Sequence, residues 1–205
     1  MIGGSSMEGA YFYFFSWLGW IFVTFFMKKS KARLVYAAVL LFTIMISQTV
    51  VTFGEFRIWI GAFFLLVIGI IGISRLSMLT KLYYAVCSTI VGMVYAIVHL
   101  VELYDPVWII INHTWFLSIL LAYISYVLIR LPEERILVLC VGVVQGEILV
   151  TAVLEPYGFH NEFGSMLFLD AVACAVFLLC VLSAILKGLA FVEPFKQKQV
   201  RERQG

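Results

Sequence analysis

The sequence predicts an all-α protein: a polytopic bundle of seven transmembrane helices, N-terminus outside and C-terminus cytoplasmic. Three observations carry this. Of 205 residues, 63% are hydrophobic and only 13% charged, where soluble domains carry about 25% charged residues. No water-soluble core of this size could hide so much apolar side chain. Seven apolar runs approach or reach the roughly 20 residues a helix needs to cross about 30 Å of hydrocarbon. Finally, the cations fall almost wholly on one side of the runs.

The runs are residues 9–27, 34–53, 58–74, 83–101, 106–129, 136–154 and 165–186. The third is the shortest. Pro106, Pro132 and Pro156 lie in or beside the intervening loops, and Pro194 lies in the tail; proline breaks helix interiors and is tolerated at their ends. The first run has Glu8 in front and Lys28, Lys29, Lys31 and Arg33 behind. A signal peptide carries its positive charge in front, so the run reads as a retained span. The six residues before Met7 read as a scar or an upstream start. The expected organisation is therefore an extracellular segment 1–8, a membrane domain 9–187 and a basic cytoplasmic tail 188–205. No Pro/Gly/Ser-rich linker divides the chain.

Orientation follows from positive charge. Behind Lys28–Arg33 come Arg75 and Lys81 after run 3, Arg130 and Arg135 after run 5, and Lys187, Lys196, Lys198, Arg201 and Arg203 after run 7. Only Arg57 falls on the opposite side. Cys87, Cys140, Cys174 and Cys180 all lie inside runs and none forms a CxxC pair. Neither an extracellular disulfide nor a thiolate metal site is implied.

Read from Met7, the chain opens "MEGAYFYFFSWLGWIFVTFFMKKSKARL". This aromatic helix with a basic exit resembles the YphA family of small integral membrane proteins from Bacillus-type spore formers. The resemblance implies a Gram-positive cell membrane and suggests a link to sporulation; it carries over no reaction and no functional residue. Physically, Tyr11, Tyr13, Trp17 and Trp20 are also what a helix anchored at the membrane interface would use.

The polar residues inside the spans are the candidate functional residues. Glu147 sits in an apolar run, roughly 10 Å from the outer end of span 6. Asp170 lies roughly 8 Å, and His113 roughly 10 Å, below the outer ends of spans 7 and 5. His99 and Glu102 mark the outer end of span 4, with Gln48 and Thr52 at a similar level on span 2 and Gln145 a little deeper on span 6. Ser88, Gly92, Tyr95, His99 and Glu102 are spaced for one helical face, which should turn inward. The candidate polar site is thus His99, Glu102, His113, Glu147, Asp170, Tyr95 and Gln48. Gly142 and Gly146 form a GxxxG pair suited to close helix approach.

A charged side chain at the centre of a span costs some 2.5–3.5 kcal/mol on insertion scales. Glu147 is tolerable if it reaches water, pairs with imidazole or carries a proton. Three readings follow. Glu147 and Asp170 are hydrogen-bonding glue between helices; or they line an outward-facing site for a small polar or lipid-derived ligand; or His99, His113, Glu147 and Asp170 bind a metal. The third has suitable ligand types but no HxxxH or HExxH spacing. His160, beside Glu155 and Glu162, reads as a solvated loop histidine.

Several functional classes are excluded by missing residues. Span 7 has no midway lysine for retinal, and lacks the histidine pair of the membrane hydrolases of the alkaline ceramidase and adiponectin-receptor type. There is no P-loop, no dinucleotide-binding glycine pattern and no basic nucleic-acid patch; the lack of an internal repeat or broken helix argues only weakly against a transporter. No cofactor and no nucleic-acid partner is expected; the tail "KQKQVRERQG" suits anionic lipid. The leading expectation is a non-enzymatic membrane protein, structural or partner-binding in the envelope, in contact with the lipid bilayer and a membrane or envelope protein. The alternative is a transporter, ligand-binding protein or enzyme using the outer polar site.

Overall fold

The structure is a computed structural model; it describes residues 8–54, 56–104, 112–158 and 162–204, with side chains at 53, 56 and 190–204 left aside. Seven helices lie among these residues: α1 (Ala10–Phe26), α2 (Lys31–Ile46), α3 (Ile60–Ser74), α4 (Met78–Tyr104), α5 (His113–Leu128), α6 (Pro132–Leu154) and α7 (Met166–Gln204). α4, α6 with its following turn, and α7 are long and apolar enough to cross a membrane. α1, α3 and α5 are shorter apolar helices.

Local chemistry sets the helix starts. Ser30 accepts the backbone N–H of Arg33 to cap α2, and Asn112 accepts that of Thr114 to cap α5. Pro132 opens α6, where its missing N–H costs nothing, and Glu133 and Glu134 follow against the positive helix end.

The outer ends of α2 and α3 depart from expectation. The second run was expected to be helical to residue 53. Instead α2 stops at Ile46, and Val50–Phe53 forms β1, antiparallel to β2 (Phe56–Trp59). The third helix accordingly starts at Ile60. β-Branched and aromatic residues crowd this stretch and prefer a pleated strand to a helix. Gly54, at φ 64°, supplies the left-handed position that a two-residue hairpin requires. A short third strand, β3 (Glu162–Phe163), adds in parallel to β2, pairing Arg57 with Glu162 and Ile58 with Phe163. The fold is mostly helical as expected, with a small three-stranded sheet built from two segments at one end of the bundle.

Two further boundaries move. The expected start of the fifth helix at 106 falls outside the described residues; the helix described begins at His113. α7 continues past 187 to Gln204, since Gln, Lys, Arg and Glu are good helix formers.

α6 is the central helix. Twelve of its residues are buried, among them Val138, Val143, Val144 and Val150, whereas α2 buries only Thr43. α4 and α6 approach most closely through glycine: a Cβ on Gly92 would stand 2.7 Å from the carbonyl oxygen of Gly142, and one on Gly146 would stand 2.6 Å from that of Gly92. Any larger side chain there would push the backbones apart. On the other side of α6, Gly69 and Gly72 of α3 fit against Val141 and Leu137. Phe15 of α1 stacks on Phe177 of α7 with ring centres 4.3 Å apart.

Candidate functional site

Glu147 projects from the outer third of α6 and is 2% exposed. Its Oε2 accepts the Tyr95 hydroxyl of α4 at 2.6 Å, and its Oε1 accepts the backbone N–H of Gly164 at 3.0 Å. Hydrogen bonds to a carboxylate are among the stronger ones in a protein. Gly164, at φ 72°, lies between β3 and α7 and packs tightly on Ala62 of α3. One carboxyl group therefore holds together α4, α6 and the segment that leads into α7.

The inward face expected on α4 is buried at Ser88, Gly92 and Tyr95 and partly buried at His99 and Glu102. The His99 ring lies 4.3 Å from the Tyr95 ring, its Nδ1 3.3 Å from the Tyr95 carbonyl oxygen. It also meets the His113 ring edge-on at 4.9 Å. His113, at the start of α5, places Nδ1 2.7 Å from Glu102 Oε2. Glu102, His113, His99, Tyr95 and Glu147 thus form a contiguous polar path from a partly exposed end to the buried carboxylate.

Asp170 does something else. It is 1% exposed. Its Oδ2 accepts the N–H of Gly9 at 2.8 Å and its Oδ1 that of Phe12 at 2.7 Å. The first turn of any helix carries N–H groups without partners and a partial positive charge. Gly9 precedes α1 in the left-handed conformation and offers no side-chain cap. Asp170 supplies that cap from the last helix. Asp170 thus caps α1, whereas the hydrogen bonds described for Glu147 reach α4 and Gly164.

Gln48 also stands apart, exposed in the turn after α2. Among the described residues, no group of three or more His, Cys, Asp or Glu side chains is placed to hold a metal ion. The structure therefore lends the His99, His113, Glu147 and Asp170 metal reading no support.

Some anchoring residues carried no sequence signal. Gly164 matters through its N–H, which composition cannot reveal. Ser47, fully buried, meets the Tyr13 hydroxyl at 2.9 Å and ties α2 to α1. Arg135, read from sequence as an orienting cation, is also a cap: its Nε and Nη2 donate to the carbonyl oxygens of Ile129 and Arg130 at the end of α5, at 2.5 and 2.8 Å. Its guanidinium lies 4.4 Å from the Tyr126 ring centre. A buried cation at the negative end of a helix was there to be suspected, because Arg135 falls so soon after α5.

Apolar helices packed through glycine, with their few buried charges spent on helix ends and backbone amides, define an integral membrane protein. The chain belongs to the YphA-like integral membrane protein family, whose model matches residues 8–205. A protein of Bacillus subtilis (strain 168), described as "Uncharacterized protein YphA", is 29% identical over 174 residues, covering 84% of this chain and 86% of the relative. No solved structure matches the chain.

Proposed function

We propose that this protein is a non-catalytic, multi-pass component of the Gram-positive cell membrane that serves the envelope as a structural or partner-binding element. In this reading all seven helices cross the bilayer, with the N-terminus outside and the basic C-terminal helix in the cytoplasm. The observation that carries the reading is how the two buried carboxylates are used. Asp170 spends both oxygens on backbone N–H groups of α1, and Glu147 accepts a tyrosine hydroxyl and a backbone N–H. These bonds fix helices to one another and to the sheet. The charge distribution supports the orientation, and the family resemblance is the ground for seeking the phenotype during sporulation as well as in growth.

The path from Glu102 and His113 to Glu147 favours a second reading, an outward-facing binding, transport or catalytic site. Replacing Glu147 by Gln separates the two. Gln retains much of the hydrogen bonding but cannot carry the charge. On the structural reading the variant inserts at normal level and complements a deletion strain in growth and sporulation. Normal level with lost complementation would favour the second reading. A reporter fused after Gly205 should be active only in the cytoplasm, and one inserted at 159–161 only outside; the reverse at both would overturn the orientation.

A further inference from the structure

The helices differ in reach, and the short helices α1, α2 and α3 are neighbours. The far end of the bundle, opposite the Lys- and Arg-rich end, is not flat. From Tyr95, α4 continues about 13 Å to Tyr104, and from Glu147, α6 continues about 10 Å to Leu154. The far ends of α1, α2, α3 and α7 lie near Glu147 itself. Gly164, just before α7, is bonded to the Glu147 carboxyl. Gly9, just before α1, stands against Met166, the first residue of α7, a Cβ there lying 3.3 Å from its sulfur. A Cβ on Gly61, at the start of α3, would lie 3.3 Å from Leu169 Cδ1 of α7 and 3.4 Å from the Cα of Ser47 at the end of α2. Contact by contact, the far ends of α1, α2, α3 and α7 belong to one level, below the tops of α4 and α6.

From that level to the cationic end, α1, α2 and α3 have 17, 16 and 15 residues. They rise about 26, 24 and 22 Å, short of the about 30 Å of an ordinary hydrocarbon core. α4, with 27 residues, and α6, with 23, rise about 40 and 35 Å. Above the short helices lies the sheet, not more helix. Gln48, Thr49, Thr52 and Arg57 are exposed there, and among the described residues β1 is the sheet's outer strand, paired on one side only. Full-thickness hydrocarbon would surround these polar side chains and unpaired strand amides, an arrangement lipid does not tolerate. Shortening the bilayer costs fractions of a kcal/mol per Å of mismatch, less than desolvating several polar groups.

We propose that the α1–α2–α3 flank is a surface fitted to thinned bilayer. On this side the lipid headgroups descend to Gln48 and Thr49, about 10 Å below their level along α4 and α6. The occupant of the flank is lipid with a short hydrocarbon reach, and the protein grades the bilayer from thick to thin across its own width. The proposal rests on these helices crossing the membrane.

The test uses the full chain in dioleoyl phosphatidylcholine vesicles, with a nitroxide attached at one introduced cysteine at a time. The unsubstituted protein, labelled identically, supplies the background from its own cysteines. Gln48→Cys and Ile97→Cys probe one height on opposite flanks, Ile97 being exposed on α4. Ile70→Cys probes the exposed face of α3. Collision with oxygen reports hydrocarbon, and collision with a water-soluble nickel chelate reports water. The expected result is oxygen preference at 97 and 70 and nickel preference at 48. Oxygen preference at both 48 and 97 would overturn the proposal, as would nickel preference at both. A label at 48 shielded from both reagents would show that protein covers the flank, and would overturn it too. Nickel preference at 70 would instead remove the crossing of α3 on which the proposal rests. Thr49→Cys replaces Gln48→Cys if that variant does not fold, with the same outcomes.

Discussion

Replacing Asp170 by Ala should loosen α1 while leaving the rest of the bundle assembled. The carboxylate receives the N–H groups of Gly9 and Phe12 at 2.8 and 2.7 Å, in a site with only 1% exposure. Each buried donor left without a partner costs about 1–3 kcal/mol. These two lie at a helix end, where water can partly replace the carboxylate, so the low half of the range applies and the total loss is about 2–4 kcal/mol. Asn keeps one acceptor oxygen and turns an amide toward the other donor; it should lose about 1–2 kcal/mol. Reversible unfolding in mixed detergent micelles, followed by helical circular dichroism, gives the totals. Hydrogen exchange gives the location: the Gly9 and Phe12 amides should lose protection in the Ala variant, while amides of α4 and α6 keep theirs. Stability within about 0.5 kcal/mol of the original, with unchanged exchange at Gly9 and Phe12, would refute the capping role.

Gly146→Val should destabilise by at least the about 1–3 kcal/mol typical of overpacking, because its Cβ would press on the Gly92 carbonyl at 2.6 Å; the same unfolding assay checks it, with Gly19→Ala, whose nearest neighbour is 3.7 Å away, as a control expected to retain stability. Tyr95→Phe removes the hydroxyl that Glu147 accepts at 2.6 Å and should cost about 1.5–3 kcal/mol, the range for a bond to a charged group; a loss under about 0.5 kcal/mol would mean that the bond adds nothing to stability.

What could be read from sequence depended on whether the signal was carried by side-chain pattern or by backbone. The helices of the bundle were legible because lipid demands long apolar runs, and the inward face of α4 because Ser88, Gly92, Tyr95, His99 and Glu102 recur at helical spacing. The β1–β2 hairpin was not, since a run such as Val50–Phe53 is equally apolar as a helix end or a strand; only its β-branched residues and Gly54 hinted otherwise. Within the site, Tyr95, Glu147, His99, His113 and Glu102 were all named, and their contacts follow from depth and face. The partners that separate Glu147 from Asp170 were hidden for another reason. They are the N–H groups of Gly9, Phe12 and Gly164, which every residue but proline possesses, so nothing in the letters distinguishes them.

The Asp170 cap also has a consequence for the order of events on the ribosome. α1 is synthesised well before its cap, since the residue that completes its N-terminus follows Gly9 by 161 positions. At synthesis rates of about 5–20 residues per second, the delay is roughly 10–30 s. Throughout that interval the Gly9 and Phe12 amides await the carboxylate that accepts them in the folded protein. Release of the last helix closes the circuit from end to beginning. A chain cut short before α7 therefore lacks the cap of α1 at its opposite end.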